Sequence, residues 1–325
     1  MKVVYNGEND RAFKEVLGET IQRLAIEDRD VIYLDADLMS CIGMAKWAEE
    51  HPDRAINCGI AEANMAGISA GLSAVGFKPI MHTFGPFASR RCYDQIFLSG
   101  AYAGNSVTII GTDPGVCATF NGGTHMPFED MALYRAIPGA YVFDMTDTAM
   151  LESVLRQCKD LPGIKYIRVG RKNNKKIYET GSQMEIGKGI LVKEEGDDAV
   201  VFACGIMTAK ALEAAEILKK EGIGIAVIDM FTVKPLDRQM TLKYAEKTGA
   251  VVTAENHNRI GGLYSAVCDV LAEKLPLPVE CVAVEDEFGE VGPQDYLEKR
   301  FGLTAERIVE KVRLAVSRKN RRQTV

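Results

Sequence analysis

The sequence lacks the features that mark several common functional classes. It has eight cysteines without a CxxC pair, only four histidines and one tryptophan, and it has no run of 18 apolar residues. A zinc site, a disulfide framework and a membrane span are therefore not expected. The thiols should be reduced and mostly buried. Because the start of the chain also lacks an apolar secretory run, we predict a cytoplasmic protein with no membrane contact.

The sequence also lacks an excess of positive charge. Lys and Arg number 39 against 45 Asp and Glu, which gives a net charge of −6. A nucleic-acid partner is not expected, since such binding needs a basic surface that displaces counterions from phosphates. The short basic tail at residues 318–322 is interpreted as a solvated, mobile terminus.

Three common catalytic or nucleotide-binding motifs are missing as well. The chain contains no G-x-x-x-x-G-K-[ST], no G-x-G-x-x-G after its first strand and no H-E-x-x-H. This argues against a P-loop nucleotidase, a dinucleotide-binding dehydrogenase and a zinc hydrolase. Any chemistry must come from a less general set of residues.

What is present is the composition of a soluble α/β protein. The 325 residues are 47% hydrophobic and 26% charged, enough for two domains with their own cores. Short β-branched runs alternate with longer amphipathic ones, which predicts two doubly wound domains with parallel sheets. We predict a first domain at residues 1–172, a polar, Gly-rich linker at 173–197 and a smaller domain at 198–325.

An acidic residue opens an unusually apolar predicted helix. We predict helices at Glu62–Val75 and Pro86–Ser99, separated by a strand at Pro79–Thr83. An acid in the first turn can simply compensate the helix dipole. However, the residues after Glu62 are almost uncharged up to Gly76, so we expect the helix and its acid to be buried. A buried carboxyl group is a candidate for sharing a proton with a ligand.

Two further segments carry candidate ligand contacts. Phe84 and Phe87 follow the predicted strand, at the sheet edge where ligands of parallel α/β proteins collect. A pair of Phe residues can equally belong to the core. The glycines at 122 and 123 precede His125, which makes this histidine either a ligand contact on a loop or a structural residue.

Several phrases of the sequence resemble the transketolase family. They are G-I-A-E-A-N-M around Glu62, T-F-G-P-F followed by Y-D-Q-I, T-H-M-P-F-E-D-M-A from Thr124, I-D-M-F-T-V-K-P-L-D from Ile228, and T-A-E-N-H-N followed by G-G-L. They occur in the family's order and extend over nearly the whole chain. The resemblance covers the C-terminal half of the family only, namely its pyrimidine-binding and C-terminal domains.

The missing half of the family pattern also matters. The G-D-G and N-N elements with which the family holds magnesium and diphosphate are not reproduced, because the chain has no G-D-G. The resemblance therefore implies the small subunit of a split transketolase, with Mg2+ held by a separate N-terminal, diphosphate-binding partner subunit. It implies thiamine diphosphate as cofactor, ketol transfer from a ketose to an aldose, and a homodimer or heterotetramer.

Other functions built on the same paired domains stay open. They are the beta chain of a 2-oxoacid dehydrogenase and a deoxyxylulose-phosphate synthase-like enzyme. A regulatory partner without activity is a further alternative, although it would have little reason to keep Glu62, Phe87 and His125 together.

The resemblance assigns roles to the cofactor-facing residues. It implies that Glu62 hydrogen-bonds the aminopyrimidine ring and promotes its proton transfer. Phe87 would stack on that ring, with Phe84 and Leu38 beside it. His125 would contact the hydroxyls of the donor and act in catalysis.

The residues that would face the donor sugar depart from the usual family pattern. Arg171 matches an arginine for the donor phosphate, while Lys14, with Arg11 nearby, replaces a second one. Asp113 stands where the family has a histidine, and Asn121 where it has an acid.

The position of a phosphate-binding serine is similarly altered. Cys41 occupies that position, with Ser40 next to it. Because an aspartate facing a phosphate would repel it, the altered pocket predicts a donor other than xylulose 5-phosphate, such as a sulfonated or branched sugar.

Overall fold

The computed structural model describes residues 2–323 as two mainly parallel β-sheets flanked by helices, with a small two-stranded antiparallel sheet beside them. In chain order the strands are β1 (Asn9–Ala12), β2 (Val31–Asp35), β3 (Ala55–Asn57), β4 (Lys78–Phe84), β5 (Val107–Thr112), β6 (Tyr141–Asp144), β7 (Ile164–Val169), β8 (Asn173–Lys175), β9 (Ile190–Glu194), β10 (Ala199–Ala203), β11 (Ile225–Asp229), β12 (Thr232–Lys234), β13 (Val251–Asn258) and β14 (Val279–Val284). The α-helices are α1 (Phe13–Glu27), α2 (Ala45–Glu50), α3 (Glu62–Ala74), α4 (Gly85–Ser89), α5 (Tyr93–Gln95), α6 (Asp130–Ala136), α7 (Thr148–Cys158), α8 (Met207–Lys220), α9 (Arg238–Thr248), α10 (Leu263–Lys274), α11 (Gln294–Arg300) and α12 (Ala305–Gln323).

The two sheets confirm the predicted α/β class. The first has the strand order β12-β6-β7-β5-β4-β2-β3, and the second has the order β14-β13-β10-β11-β9. All pairings in the first sheet are parallel except that of β12, and all in the second except that of β9. Strand β12 comes from the second half of the chain, so the first sheet includes residues of both halves.

The first sheet has an apolar core on each face. Along β2, Tyr33 packs into a cluster with Leu17 of α1, whereas Leu34 packs into another with Met65 of α3. This alternation follows from the two-residue period of a strand. Both faces of the strand are buried, as expected for parallel strands covered by helices on each side.

Helix α3 is buried on one face only. Glu62 itself is buried, with 4% of its surface exposed, as the sequence predicts. Asn64, Gly67 and Gly71 are exposed, so the prediction that the whole helix is buried is wrong for this face. Its lack of charged residues leaves an uncharged surface beside Glu62.

The helix predicted at Pro86–Ser99 is interrupted. The chain forms α4, leaves helical geometry at Cys92, with φ −128° and ψ 14°, and continues as α5 and a π-helix at Ile96–Tyr102. The Sγ of Cys92 donates to the carbonyl of Ala88 at 3.1 Å, which satisfies a backbone acceptor at the break. The interruption places the side chain of Arg91 next to α3, where it contacts Glu62.

The predicted linker at 173–197 contains two short strands. Strand β8 pairs with β1, and β9 pairs with β11, because the alternating side chains of Ile190 and Val192 are apolar and buried despite the polar surroundings. The carboxylate of Asp147 accepts the backbone N–H groups of Ile177 and Tyr178 at 3.0 and 2.7 Å. The segment is thereby tied to the first sheet, and the domain boundaries stay a prediction.

A buried arginine joins the two halves of the chain. Arg168, at the end of β7, donates to Asp130 at 2.7 Å, to Asp144 at 2.9 Å and to the carbonyl of Asn256 at 2.9 Å. Its charge is compensated by two carboxylates, which a buried guanidinium requires. The β13 end of the second sheet is therefore held against the carboxyl edge of the first.

The eight cysteines are free thiols, five of them buried, as the sequence predicts. The basic tail differs from its prediction. Residues up to Gln323 continue α12, and Arg318 forms an ion pair with the buried Glu280 of β14 instead of extending into solvent. Within residues 2–323, no helix combines the length and apolar character needed to cross a bilayer.

Candidate functional site

The candidate site lies at the carboxyl edge of the first sheet. The neighbouring strands β2, β4, β5 and β7 end at Asp35, Phe84, Thr112 and Val169, respectively. The loops that follow these strands carry most of the residues singled out in the sequence. This is the edge at which parallel α/β sheets bind ligands.

Three aromatic side chains form the centre of the site. The ring centroids of Phe84 and Phe87 are 6.2 Å apart, and the His125 ring stands edge-on to both, at 6.0 and 5.0 Å. The position of the His125 loop requires glycine at residue 123, because a Cβ on Gly123 would collide with the carbonyl of Gly289. The structure therefore brings together three residues that the sequence predicts for cofactor and donor.

Arg91 links the aromatic group to Glu62. Its guanidinium lies 3.7 Å from the centroid of Phe87, and its Nη1 donates to Oε1 of Glu62 at 3.0 Å. The planar guanidinium of Arg91 thus stacks on Phe87 and also donates a hydrogen bond to the buried carboxylate of Glu62. A protonatable aminopyrimidine ring has the same planarity and donor capacity, so the pair Glu62 and Phe87 fits such a ring.

The surroundings of His125 favour its neutral form. Partial burial and the nearby charge of Arg91 lower the pKa of its imidazole. Its Nδ1 lies 2.9 Å from Oγ1 of Thr124, which fixes the ring orientation. A neutral imidazole has one donor and one acceptor nitrogen, so its other nitrogen can exchange a hydrogen bond or a proton with a hydroxyl group.

Asp113 is paired with Arg171. The two are joined by contacts of 2.8 and 3.0 Å from Nε of Arg171 to the carboxylate oxygens, and the guanidinium lies 5.2 Å from the Phe84 centroid. Burial raises the pKa of Asp113, and Arg171 opposes that shift. Much of the positive charge that Arg171 would offer to a ligand is therefore compensated by Asp113.

The remaining predicted donor residues lie around this pair. Lys14 is exposed, and its backbone N–H donates to the carbonyl of Arg171 at 3.2 Å. Arg11 instead forms an ion pair with Glu19 at 2.6 Å. The carboxylate of Glu19 therefore compensates the charge of Arg11, while the backbone of Lys14 lies next to Arg171.

Three predicted residues are not part of the contact series that joins the cluster. Ser40 is exposed and Cys41 half-buried in the 3-10 turn Met39–Ile42. Asn121 is exposed at the end of the irregular turn Gly115–Asn121, in which Thr119 has φ +50°. None of the hydrogen bonds resolved between residues 2 and 323 links these side chains to Phe87 or His125.

A buried polar chain beneath the site was not predicted. Nδ1 of His82 donates to Asp35 at 2.7 Å, and its Nε2 lies 3.2 Å from Oγ1 of Thr112. Asp35 also accepts hydrogen bonds from Tyr33 and from the backbone N–H of Leu38. The chain holds the Leu38 loop against the strand that leads to Asp113. A histidine inside the apolar strand β4 was the available signal in the sequence.

Two other features of the site bear on its ligands. Arg91 follows Phe87 by four residues, between the quoted phrases T-F-G-P-F and Y-D-Q-I, so the helical spacing was a signal for their contact. Among the side chains that the structure describes, no group of three or more His, Cys, Asp or Glu residues could hold a metal ion.

Models of known protein families match both halves of the chain. The family model described as the transketolase pyrimidine-binding domain matches residues 9–176, and that of the transketolase C-terminal domain matches residues 187–308. Together they account for the two sheets.

Individual proteins show the same likeness over most of the chain. The 6-deoxy-6-sulfo-D-fructose transketolase subunit SqwH of Clostridium sp. (strain MSTE9) is 47% identical, with 91% of this chain and 92% of that protein covered. Human transketolase is 32% identical over 93% of this chain, which spans 48% of that protein's length. A solved structure titled "Split gene transketolase, inactive beta4 tetramer" is 39% identical, with a TM-score of 0.86 and coverage of 94% and 98%.

Proposed function

Since this chain belongs to the transketolase family, we propose that it is one subunit of a two-chain, thiamine diphosphate-dependent enzyme that transfers a ketol group from a ketose to an aldose. The observation that carries the proposal is the contact series from Glu62 through Arg91 and Phe87 to His125. A second, N-terminal-type subunit holds the diphosphate and Mg2+. The two kinds of subunit assemble as a heterotetramer.

The residues of this chain would hold and protonate the pyrimidine end of the cofactor. Phe87 offers its ring face for stacking, and Glu62 offers a buried carboxylate to a ring nitrogen. To do so, Arg91 must release both contacts, which a guanidinium on a flexible, 46% exposed side chain can do. When bound, thiamine diphosphate supplies the carbanion-stabilising chemistry that carbon–carbon bond cleavage beside a carbonyl needs.

His125 would act on the sugar. It stands edge-on to Phe87 and Phe84, and its imidazole is neutral because its pKa is lowered. In this form it can accept a hydroxyl proton as a bond to the neighbouring carbon breaks, and later return it. Phe84 and the loop of Leu38 exclude water from the same side.

The donor class follows from the charge of the pocket. A phosphate monoester carries about −1.5 to −2 charges near pH 7, whereas a sulfonate carries one. Because Asp113 compensates Arg171, little net positive charge is left near the donor tail, and the one cation we propose to add to it is Lys14, whose backbone N–H donates to the carbonyl of Arg171. A singly charged tail suits this pocket better. We therefore propose a sulfonated ketose as the donor, the class named for the Clostridium relative.

The test is a donor panel on the assembled enzyme. The chain is co-purified with a diphosphate-binding transketolase subunit, and ketol transfer to an aldose acceptor is measured with 6-deoxy-6-sulfofructose, xylulose 5-phosphate and fructose. We expect the highest kcat/KM with the sulfonated ketose. The highest value with xylulose 5-phosphate would overturn the donor assignment. Carbon dioxide release from pyruvate without ketol transfer would favour the 2-oxoacid dehydrogenase or synthase alternative.

The pairing of Asp113 with Arg171 gives a prediction about donor choice. Asp113→Asn keeps a residue type that tolerates its φ of +59° and removes the charge that compensates Arg171. We expect the kcat/KM for xylulose 5-phosphate to rise about tenfold relative to that for the sulfonated ketose, the size of one charge-assisted hydrogen bond. The two donors are compared by steady-state kinetics.

The control for this prediction is Arg171→Gln. It should weaken both anionic donors and leave fructose, which has no charged tail, nearly unchanged. An unaltered ratio of the two anionic donors in Asp113→Asn would show that this pair does not face the donor tail.

A further inference from the structure

The second domain contains an open cleft that shares no residue with the candidate site. Its volume is about 840 Å³, and it lies between α10, the edge strand β14 and the last turns of α12. The basic segment interpreted from sequence as a free tail forms one of its walls through Arg318 and Arg321.

The charge of the cleft is opposite to that of the protein. Its lining has four cationic side chains and two carboxylates, an excess of two positive charges on a chain of net charge −6. The cations come from two separate parts of the fold: Arg259 after β13, and Lys311, Arg318 and Arg321 along α12, where the two arginines follow Lys311 by about two and three turns. Such convergence favours a ligand with about two negative charges.

A buried carboxylate fixes two of these cations. Glu280 of β14 is 7% exposed, pairs with Lys311 at 3.4 Å and forms a second ion pair with Arg318. Arg259 pairs with Glu285, an exposed acid, at 3.0 Å. The cationic groups are therefore oriented before a ligand arrives, which reduces the entropy lost on binding.

Part of the cleft lining is apolar. It consists of the segment from Pro276 to Pro278 together with Leu271, and the ring of Tyr264 stands beside them with Arg259 above it at 5.5 Å. A wall of this kind can bind a flat or apolar group attached to the anion. Inorganic phosphate or sulfate would leave it unused.

We propose that this cleft is a binding site for a small phosphate monoester with an apolar or aromatic body. The phosphate lies among Lys311, Arg318 and Arg321, and the body lies against Pro276, Leu277 and Tyr264. The site is separate from the cluster around Phe87, so the proposal does not depend on the function proposed above.

The experiment is calorimetric titration of the full chain with phenyl phosphate, inorganic phosphate and phenol at constant ionic strength. We expect phenyl phosphate to bind more tightly than inorganic phosphate, and phenol not to bind. Arg318→Gln and Arg321→Gln should each raise the Kd for phenyl phosphate about tenfold, as for the loss of a charge-assisted hydrogen bond. Equal affinity for phenyl phosphate and inorganic phosphate, or no binding at millimolar phenyl phosphate, would overturn the proposal.

The matched control is Lys319→Gln. Lys319 follows Arg318 directly but packs against Gly249, outside the cleft, so the same loss of charge should leave the Kd within twofold. If Arg318→Gln unfolds because Glu280 loses a partner, Arg259→Gln is used in its place. It removes a cation of the cleft that is paired with an exposed acid. Weakening by Lys319→Gln as strong as by the cleft variants, or loss of binding in Arg171→Gln, would place the ligand elsewhere.

Discussion

Glu62→Gln in the assembled enzyme should lower kcat by about 10²–10⁴-fold, the range of general acid–base catalysis. The substitution keeps the shape of a side chain that is only 4% exposed and can still accept a hydrogen bond. It removes the carboxyl group that would share a proton with a nitrogen of the ring stacked on Phe87. Because stacking on Phe87 is retained, saturating thiamine diphosphate should restore binding without restoring the rate.

The control is Glu129→Gln. Glu129 pairs with Arg90 at 3.1 Å, much as Glu62 pairs with the next residue, Arg91, at 3.0 Å, but it is not in contact with Phe87. Its substitution should change kcat by less than about threefold, as is usual for a half-exposed ion pair. Near-normal turnover of Glu62→Gln at saturating cofactor would remove Glu62 from the mechanism.

The fold class and the order of the elements were accessible from sequence because they depend on local periodicity. Helix α3 begins at Glu62 as predicted, and the strand predicted at Pro79–Thr83 lies within β4 (Lys78–Phe84). The exchange of β12 into the first sheet was not accessible. Its three residues pair with β6, about 90 positions earlier, and nothing in either segment specifies the other.

The candidate site was accessible in its residues but not in its contacts. The lack of charged residues in α3 predicted that Glu62 is buried, as it is. The same lack of charge gave no sign that one face of this helix is exposed. The pairing of Asp113 with Arg171 joins residues 58 positions apart at the ends of adjacent strands. Sequence spacing gives no sign of such a contact. The repulsion expected from sequence between Asp113 and a donor phosphate therefore did not take Arg171 into account.

The exposed surface around the site leads to the second major prediction, that the chain alone has no activity. Ile60, just before Glu62, is 73% exposed, and Phe288, near the His125 loop, is 93% exposed. Apolar side chains that surround a functional site in this way are typical of a surface covered by another chain. In the proposed enzyme, this chain offers Phe87 and Glu62 to the pyrimidine, and a second chain binds the diphosphate end.

We therefore expect the purified chain to show no ketol transfer, and to bind thiamine diphosphate with Mg2+ more weakly than micromolar by calorimetry. A diphosphate is a hard, multiply charged ligand whose affinity in proteins comes largely from Mg2+ held by carboxylates, and the described residues offer no group of three acids that could provide this. Adding a diphosphate-binding subunit should restore turnover, with a rate that saturates at equal amounts of the two chains.

Phe288→Ser should raise the amount of partner needed for half-maximal activity. Tyr102→Ser serves as the comparison, because it is an equally drastic change at a side chain that is 85% exposed on the π-helix. Turnover by the chain alone, or micromolar cofactor binding without a partner, would contradict the two-chain architecture, because either result requires a complete site within these 325 residues.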